Sequence, residues 1–280
     1  MTTPTKASRP PRRKGATRIA DIPRDILVAL NEGRDETITL VEWLAIDQSV
    51  LLGHVLPALG FRREQSSALV AGARASAAEG VTVRTKRLGA RIWEMLAQEA
   101  SRRREQLFEG LATHRSDMIR AFAAYSLAAD PGLDLQDRLG RARRFAADRS
   151  MAVRECAWDS FRPWLARELP RGLKLLVLWA RDRDPNIRRC ATEATRPQGV
   201  WNEHLEALKQ DPSPGLPLLH ACRSDPSDYV RRSVANWLND ARKSRPDWVA
   251  QVCARWTRTS DTKETAWIVR HALRSVRRAG

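Results

Sequence analysis

The chain repeats one pattern of apolar positions almost from end to end. From Ile22 to Val276, apolar residues recur at spacings of three and four, which is the period of a helix with one buried face. The alternating Val/Ile/Thr runs that indicate strands are nearly absent. Glycine and proline interrupt the pattern at intervals that suit short helices, as at Gly60 and at the turn 130–132. The pattern predicts an all-α fold, with residues 21–280 forming one helical domain.

Self-alignment indicates that these helices belong to a repeat. From residue 119 on, a branched apolar residue followed by arginine recurs, with an acidic residue or histidine six positions before each arginine. Periods of this size predict two-helix units that bury their apolar faces by stacking on their neighbours. The arginines are Arg120, Arg154, Arg188, Arg231 and Arg270, at spacings of 34, 34, 43 and 39, preceded by His114, Asp148, Asp182, Asp225 and Glu264.

An acid six positions before an arginine, ahead of a helix of small residues, resembles the HEAT repeat. The resemblance implies that acid and arginine bridge adjacent turns and repeats as a ladder, so we interpret Arg154, Arg188 and Arg231 as mainly structural. The second arginines, Arg189 and Arg232, have no such role and are better candidates for phosphate contact. We therefore predict a HEAT-like helical-repeat solenoid with a basic concave face.

The charge points to a polyanionic partner. The formal net charge is +16, and residues 1–20 contribute +6 without an acidic residue. This segment lacks periodicity, so we predict a disordered basic N-terminal arm over 1–20. The remaining excess of positive charge belongs to the folded domain, and nucleic acid is the commonest polyanion that such a domain binds.

The interval between the third and fourth arginines is nine residues longer than the two before it. The excess falls between Thr195 and Pro217. Insertions between repeats usually form a loop on one face, often the functional face. This loop would place Trp201 shortly after the helix that carries Glu193.

Several segments resemble the AlkC-type DNA alkylation repair glycosylases, within the wider AlkC/AlkD family. Residues 187–201 (IRRCATEATRPQGVW) and 229–240 (YVRRSVANWLND) are similar to two signature segments of that family. Residues 267–273 resemble its C-terminal helix, and residues 30–33 and 39–47 its opening helices. The likeness covers most of the chain and is densest over residues 182–275.

The resemblance implies a DNA repair enzyme that excises N-alkylated purines, such as 3-methyl and 7-methyl purines, by hydrolysis of the N-glycosidic bond. It implies catalytic carboxylates at Glu193 and Asp240 and a substrate-binding aromatic residue at Trp201. Such a purine is cationic, and its departure leaves an oxocarbenium-like sugar that a carboxylate stabilises. A tryptophan ring attracts the cationic base or sugar.

These predictions also define partners and setting. We expect double-stranded DNA with alkylated bases as the partner, with Arg189, Arg196 and Arg232 on its backbone. The four scattered cysteines and five histidines form no metal-binding motif, so we expect no metal and no cofactor. No apolar run is long enough to span a bilayer, and the expectation is a cytoplasmic monomer.

Other interpretations remain open at this stage. Ser150 stands where the family carries a glutamate, which favours a non-catalytic binder of damaged or branched DNA; Glu155 or Asp148 could replace the missing acid. A protein–protein scaffold is the commonest use of such arrays. Glu193 could form an ordinary helix ion pair with Arg189. Asp240 could be a surface acid and Trp201 a packing residue.

Overall fold

The computed structural model describes residues 13–199 and 203–274, and within those ranges it contains helices and no β-strand. The prediction of an all-α fold is confirmed. Several helices begin where a Thr or Asp side chain accepts a hydrogen bond from a first-turn backbone N–H, as Thr39, Asp134 and Asp184 do. The helices are α1 (Arg24–Asn31), α2 (Leu40–Ala45), α3 (Gln48–Ala58), α4 (Arg63–Ala75), α5 (Val81–Ala97), α6 (Ser101–Ala112), α7 (Asp117–Ala129), α8 (Leu135–Ala146), α9 (Met151–Arg167), α10 (Leu169–Trp179), α11 (Pro185–Ala194), α12 (Glu206–Gln210), α13 (Leu216–Ala221), α14 (Asp228–Arg242), α15 (Pro246–Thr259) and α16 (Lys263–Ala272).

From α5 onward the helices form two layers. In the first layer each helix packs beside the next, in the order α5, α7, α9, α11, α14 and α16. In the second layer α6, α8, α10 and α15 each pack against the first-layer helices that flank them in the chain. This arrangement is the stack of helical hairpins that the repeat predicts.

The repeated arginines hold the turns before their own helices. In each of four repeats, arginine Nη1 donates to the carbonyl oxygens of the residues six and five positions earlier. The acid at the earlier position instead uses its carboxylate to accept from the backbone N–H two residues on. Within a repeat, the arginine therefore binds the backbone carbonyl of the acidic residue or histidine and not its side chain. The arginines concerned are Arg120, Arg154, Arg188 and Arg231.

The acid's carboxylate also links neighbouring repeats. Arg120 makes two hydrogen bonds to Asp148, and Arg188 makes two to Asp225 at 2.6 and 2.8 Å. The Asp225 side chain is 3% exposed. A buried charge is costly unless its partner stays in place, so each arginine and acid must remain paired. Because the two partners belong to neighbouring repeats, these contacts fix the stacking of one repeat on the next.

One link of this ladder is replaced. Asp182, the acid that corresponds to Arg154, pairs with Arg143 of α8. Arg154 turns toward α14 instead, where its guanidinium lies 5.3 Å from the ring centroid of Tyr229. The substitution places an additional cation beside the first-layer surface of α11 and α14.

The lengthened interval lies where the sequence places it. Between α11 and α14, the second-layer position holds two short helices, α12 and α13, separated by a 3-10 turn at Ser213–Gly215. Gly215 is required at this turn, because a Cβ atom there would lie 2.6 Å from Cζ2 of the buried Trp237. The remaining extra residues follow α11 directly in the chain.

The predicted basic arm over 1–20 needs correction at its boundary. Residues 1–12 lie outside the described residues, but residues 13–20 pack against α2. Arg13 pairs with the fully buried Glu42, and the backbone N–H of Ala16 donates to the same carboxylate at 3.1 Å. Disorder is wrong for residues 13–20, because a basic residue there meets a buried acid that needs a counterion.

Two further observations concern the whole fold. Across the described ranges, no helix combines the length and apolar character needed to cross a membrane. Cys156, Cys190, Cys222 and Cys253 are free and buried in helices or at helix ends. Burial raises the pKa of all four thiols, to about 11 at Cys253.

Candidate active site

Alternating acidic and basic side chains run across the first layer from α9 to α14. Arg189 pairs with Glu155 and lies 3.5 Å from Glu193 (Nη2 to Oε1). Arg196 Nη1 lies 3.1 Å from Glu193 Oε2, and Arg196 Nη2 lies 2.8 Å from Asp240 Oδ2. Lys243 Nζ ends the series 3.0 Å from Asp240 Oδ1. We call this set the carboxylate network: Glu155, Arg189, Glu193, Arg196, Asp240 and Lys243.

Helix geometry places the members of the network in line. Arg189 and Glu193 are four residues apart on α11, and Asp240 and Lys243 are three apart at the end of α14, so each pair shares a helix face. Polar contacts set α11 against α14: Thr192 Oγ1 donates to Ser233 Oγ at 2.5 Å. The two helices thereby bring Glu193 and Asp240 to one arginine.

The two candidate carboxylates are buried. The side chains of Glu193 and Asp240 are each 5% exposed. A buried carboxylate is costly unless it is paired, and each of these has two basic partners. The interpretation of Asp240 as a surface acid is therefore wrong, whereas the helix ion pair between Glu193 and Arg189 is present.

Two of the predicted phosphate-binding residues are placed differently from the sequence expectation. Arg189 and Arg196 are 15% and 14% exposed, and both lie between carboxylates. Burial lowers the pKa of each guanidinium, but the neighbouring acids outweigh burial and raise it. The view that Arg189 has no structural partner is wrong. Arg232, by contrast, is 68% exposed and pairs with Asp228, at 2.6 Å.

Two aromatic residues that the sequence did not single out lie beside the network. The Tyr229 ring centroid is 4.2 Å from the Arg189 guanidinium carbon. Trp158 Nε1 donates to Glu155 Oε2 at 3.0 Å. Tyr229 begins one of the family-like segments, and this was the available signal for its position. The Trp158 side chain is buried.

Ser150 lies outside the network. Its Oγ donates to Asp117 Oδ2 at 2.9 Å, and Thr37 Oγ1 donates to the same oxygen at 2.5 Å. Burial raises the pKa of Asp117, against these hydrogen bonds. Of the two acids considered as replacements for the family glutamate, Glu155 belongs to the network, and Asp148 is held by Arg120.

Trp201 falls in the stretch 200–202, which lies outside the described residues, so its role stays a prediction. Two open cavities of about 410 and 320 Å³ run along α3, α4 and α5, and their linings contain no member of the network. Within the described residues, no group of three or more His, Cys, Asp or Glu side chains is placed to hold a metal ion.

Comparison with known proteins adds relatives of this fold. No family model matches the chain. A region of 119 residues, 42% of this chain, is 39% identical to the uncharacterized protein YhaZ of Bacillus subtilis (strain 168) and covers 33% of it. The matched part is therefore a third of that relative.

Solved structures share the arrangement of helices. The Pseudomonas fluorescens alkylpurine DNA glycosylase AlkC, bound to DNA containing an abasic site analog, superimposes with a TM-score of 0.67 at 27% identity. The match covers 80% of this chain and 60% of AlkC. AlkD2 from Streptococcus mutans matches with a TM-score of 0.54 at 21% identity, over 68% of this chain and 88% of AlkD2. The smu.31 protein of Streptococcus mutans UA159 matches with a TM-score of 0.56 at 19% identity, over 74% and 98%.

Proposed function

We propose that this chain, which has the helical-repeat fold of the AlkC/AlkD DNA glycosylases, is a DNA repair glycosylase that excises N-alkylated purines, with 3-methyl and 7-methyl purines as its substrates. The observation that carries the proposal is the convergence of Glu193 and Asp240, from different helices, on the guanidinium of Arg196. The two carboxylates place negative charge together, which is what stabilisation of a developing cation requires.

Hydrolysis of the N-glycosidic bond is assisted by two negatively charged groups near the sugar. When the bond between C1′ and the alkylated nitrogen breaks, the cationic purine leaves as a neutral base with the bonding electrons, and the sugar becomes positively charged. In this proposal one carboxylate of the network stabilises that sugar, and the other orients a water molecule and accepts its proton as it adds to C1′. The products are the free base and an abasic site.

The proposal assigns the DNA backbone to residues around the network. Arg232 on α14 and Lys243 at its end are 68% and 49% exposed and carry positive charge toward solvent. Lys243 also pairs with Asp240 of the network. Double-stranded DNA would lie on a basic concave face of the solenoid. The AlkC structure, which contains DNA with an abasic site analog, supports DNA as the partner. The proposed form is a cytoplasmic monomer that uses neither metal nor cofactor.

A non-catalytic binder of damaged or branched DNA is the second candidate. The observation that favours it is Ser150, which stands at the position of the family glutamate and is engaged by Asp117 rather than by the network. Pairing of Glu193 and Asp240 with Arg196 would then serve structure alone.

Release of base from methylated duplex DNA tests the two candidates. The assay uses protein in excess, so that a single turnover is seen, and measures free 3-methyl and 7-methyl purines beside fluorescence anisotropy of the same duplex. Release that depends on Glu193 and Asp240 supports the glycosylase. Binding without release supports the second candidate, and absence of binding at low salt leaves only the protein scaffold.

A further inference from the structure

Arg162 is a buried arginine on α9 that reaches across to the end of α11. It is 3% exposed. Its Nη1 donates to the carbonyl oxygen of Ala194 at 2.6 Å, and its Nη2 donates to those of Arg196 and Glu203 at 2.8 and 3.1 Å. One guanidinium thus caps the carboxyl end of α11 and also binds the backbone of Arg196 and Glu203.

The same contacts fix the residue at the centre of the carboxylate network. The backbone of Arg196 is held by Arg162, and its side chain joins Glu193 to Asp240. A planar guanidinium with several fixed donors holds three carbonyl oxygens at once, which an ammonium group does less well. The position of Arg196 therefore depends on a side chain from a different repeat.

The pKa of Arg162 reflects both its burial and its closeness to the network. Burial lowers the pKa of Arg162 to about 10, while the nearby carboxylates of Asp159, Glu193 and Asp240 act in the opposite direction. The guanidinium stays protonated at neutral pH and keeps all its donors. Within the described residues, Arg162 donates to backbone carbonyl oxygens and forms no ion pair with a carboxylate. These hydrogen bonds compensate for the burial of its charge.

We propose that Arg162 is a positioning residue of the glycosylase site. It sets the place of Arg196, and through it the spacing of Glu193 and Asp240. Arg162 does this without a contact to DNA. The inference rests on the proposed function for its effect on catalysis, whereas its effect on the backbone stands on the contacts alone.

The chain offers a matched control in Arg138 on α8. This arginine is fully buried, and it caps α7 through the carbonyl oxygens of Leu127 and Ala128 while also holding those of Asp130 and Leu133. It does in the turn after α7 what Arg162 does in the turn after α11. That turn holds no member of the network, so loss of Arg138 tests the general cost of removing a capping arginine.

The experiment compares Arg162→Met, Arg162→Lys and Arg138→Met in the full chain. Each variant is measured for single-turnover release of methylated purine, for duplex affinity and for peptide-level amide hydrogen exchange. We expect Arg162→Met to slow release about 100-fold, since small misplacements of catalytic groups cost this much, with duplex affinity nearly unchanged. Arg162→Lys should retain part of the rate. Exchange should rise over 194–205 in Arg162→Met, and over 127–135 in Arg138→Met.

The outcomes separate the inference from the proposed function. Unchanged release and unchanged exchange over 194–205 in Arg162→Met would overturn the inference. An equal loss of release in Arg138→Met would also overturn it, because the effect would then come from general destabilisation. If the wild-type chain releases no base, the glycosylase proposal fails, but exchange over 194–205 still decides whether Arg162 positions the segment. If Arg162→Met does not fold, Arg162→Lys carries the same comparisons.

Discussion

Nε of Arg196 lies 2.8 Å from Oδ2 of Asp240, and Nη1 of the same side chain lies 3.1 Å from Oε2 of Glu193. The two acids belong to different helices and different repeats, and a single side chain from the turn between those repeats joins them. Movement of this turn would therefore change the contacts of both carboxylates. The site depends on the stacking of α11 on α14 as much as on the residues themselves.

Removing either carboxylate should separate catalysis from binding. We expect Glu193→Gln and Asp240→Asn each to slow single-turnover release of methylated purine about 100-fold, because each removes a negative charge close to the developing positive sugar. Affinity for the intact duplex should stay close to that of the wild type, since neither acid is a phosphate contact. Base release and fluorescence anisotropy measure the two effects.

Glu109→Gln is a control for these variants at an exposed acid outside the network. Glu109 is 41% exposed on α6 and pairs with Arg144, away from the network. It should leave the rate of release unchanged. Wild-type release by Glu193→Gln and Asp240→Asn together would contradict a catalytic role for the network.

Arg232 should contribute to the salt dependence of DNA binding. Its side chain is 68% exposed, so a phosphate can displace Asp228 as its partner. We expect Arg232→Ala to reduce the slope of log affinity against log salt by about 0.9, the contribution of one neutralised phosphate. Anisotropy titrations over a range of salt concentrations measure this slope.

Arg91→Ala serves as the comparison for Arg232. Arg91 is 65% exposed on α5 and has a neighbouring acid, Glu94, as Arg232 has Asp228. It should leave the slope unchanged if contact is confined to the surface around the network. An equal decrease for both variants would indicate diffuse attraction rather than a contact at Arg232.

The ladder between repeats should carry a measurable part of the stability. Asp225→Asn leaves Arg188, 14% exposed, without its counterion. We expect the free energy of unfolding to fall by about 3 kcal/mol, the low end for breaking a buried pair. Urea unfolding followed by circular dichroism measures it. Glu206→Gln, which loses a surface pair with Lys209, should cost at most about 1 kcal/mol.

Glu42 should make the N-terminal packing sensitive to acid. Burial raises the pKa of this carboxyl, but hydrogen bonds from Arg13, Ile38 and Ala16 outweigh burial and lower it. Because the folded pKa lies below the unfolded one, Glu42 stabilises the fold above about pH 4.3, and this contribution is lost as pH falls through the folded pKa. Glu42→Gln should therefore lower the urea midpoint at neutral pH and match the wild type in strong acid. A constant difference at every pH would contradict this.

Much of the fold could be predicted from the sequence because the repeated motif recurs at a regular spacing. The spacing of Arg120, Arg154 and Arg188 predicts stacked hairpins, and the lengthened interval predicts the irregular second layer before α14. The choice of Glu193 and Asp240 as candidate acids came from the family resemblance, and in the structure both pair with Arg196. Their common location depends on how far α14 is rotated against α11, which periodicity does not specify.

The arginines show most clearly what the sequence could not give. Arg189 and Arg232 occupy equivalent positions in their repeats, yet the first is buried between two acids and the second is exposed. Arg189 lies beside Glu155, Glu193 and the Tyr229 ring, whereas Arg232 pairs with the exposed Asp228. Arg162 was missed for a related reason: its partners are backbone carbonyl oxygens, and these leave no mark in the sequence.

The carboxylate network contains three acids and three bases, so with every group ionised its charges cancel. A cationic base that enters the network raises its net charge from zero to +1. Balance returns when one of the three basic side chains exchanges its carboxylate for a DNA phosphate, and Lys243 is the most exposed of them. Under the proposed function, binding of the damaged base therefore releases a basic side chain to bind the DNA backbone, and the two events are coupled.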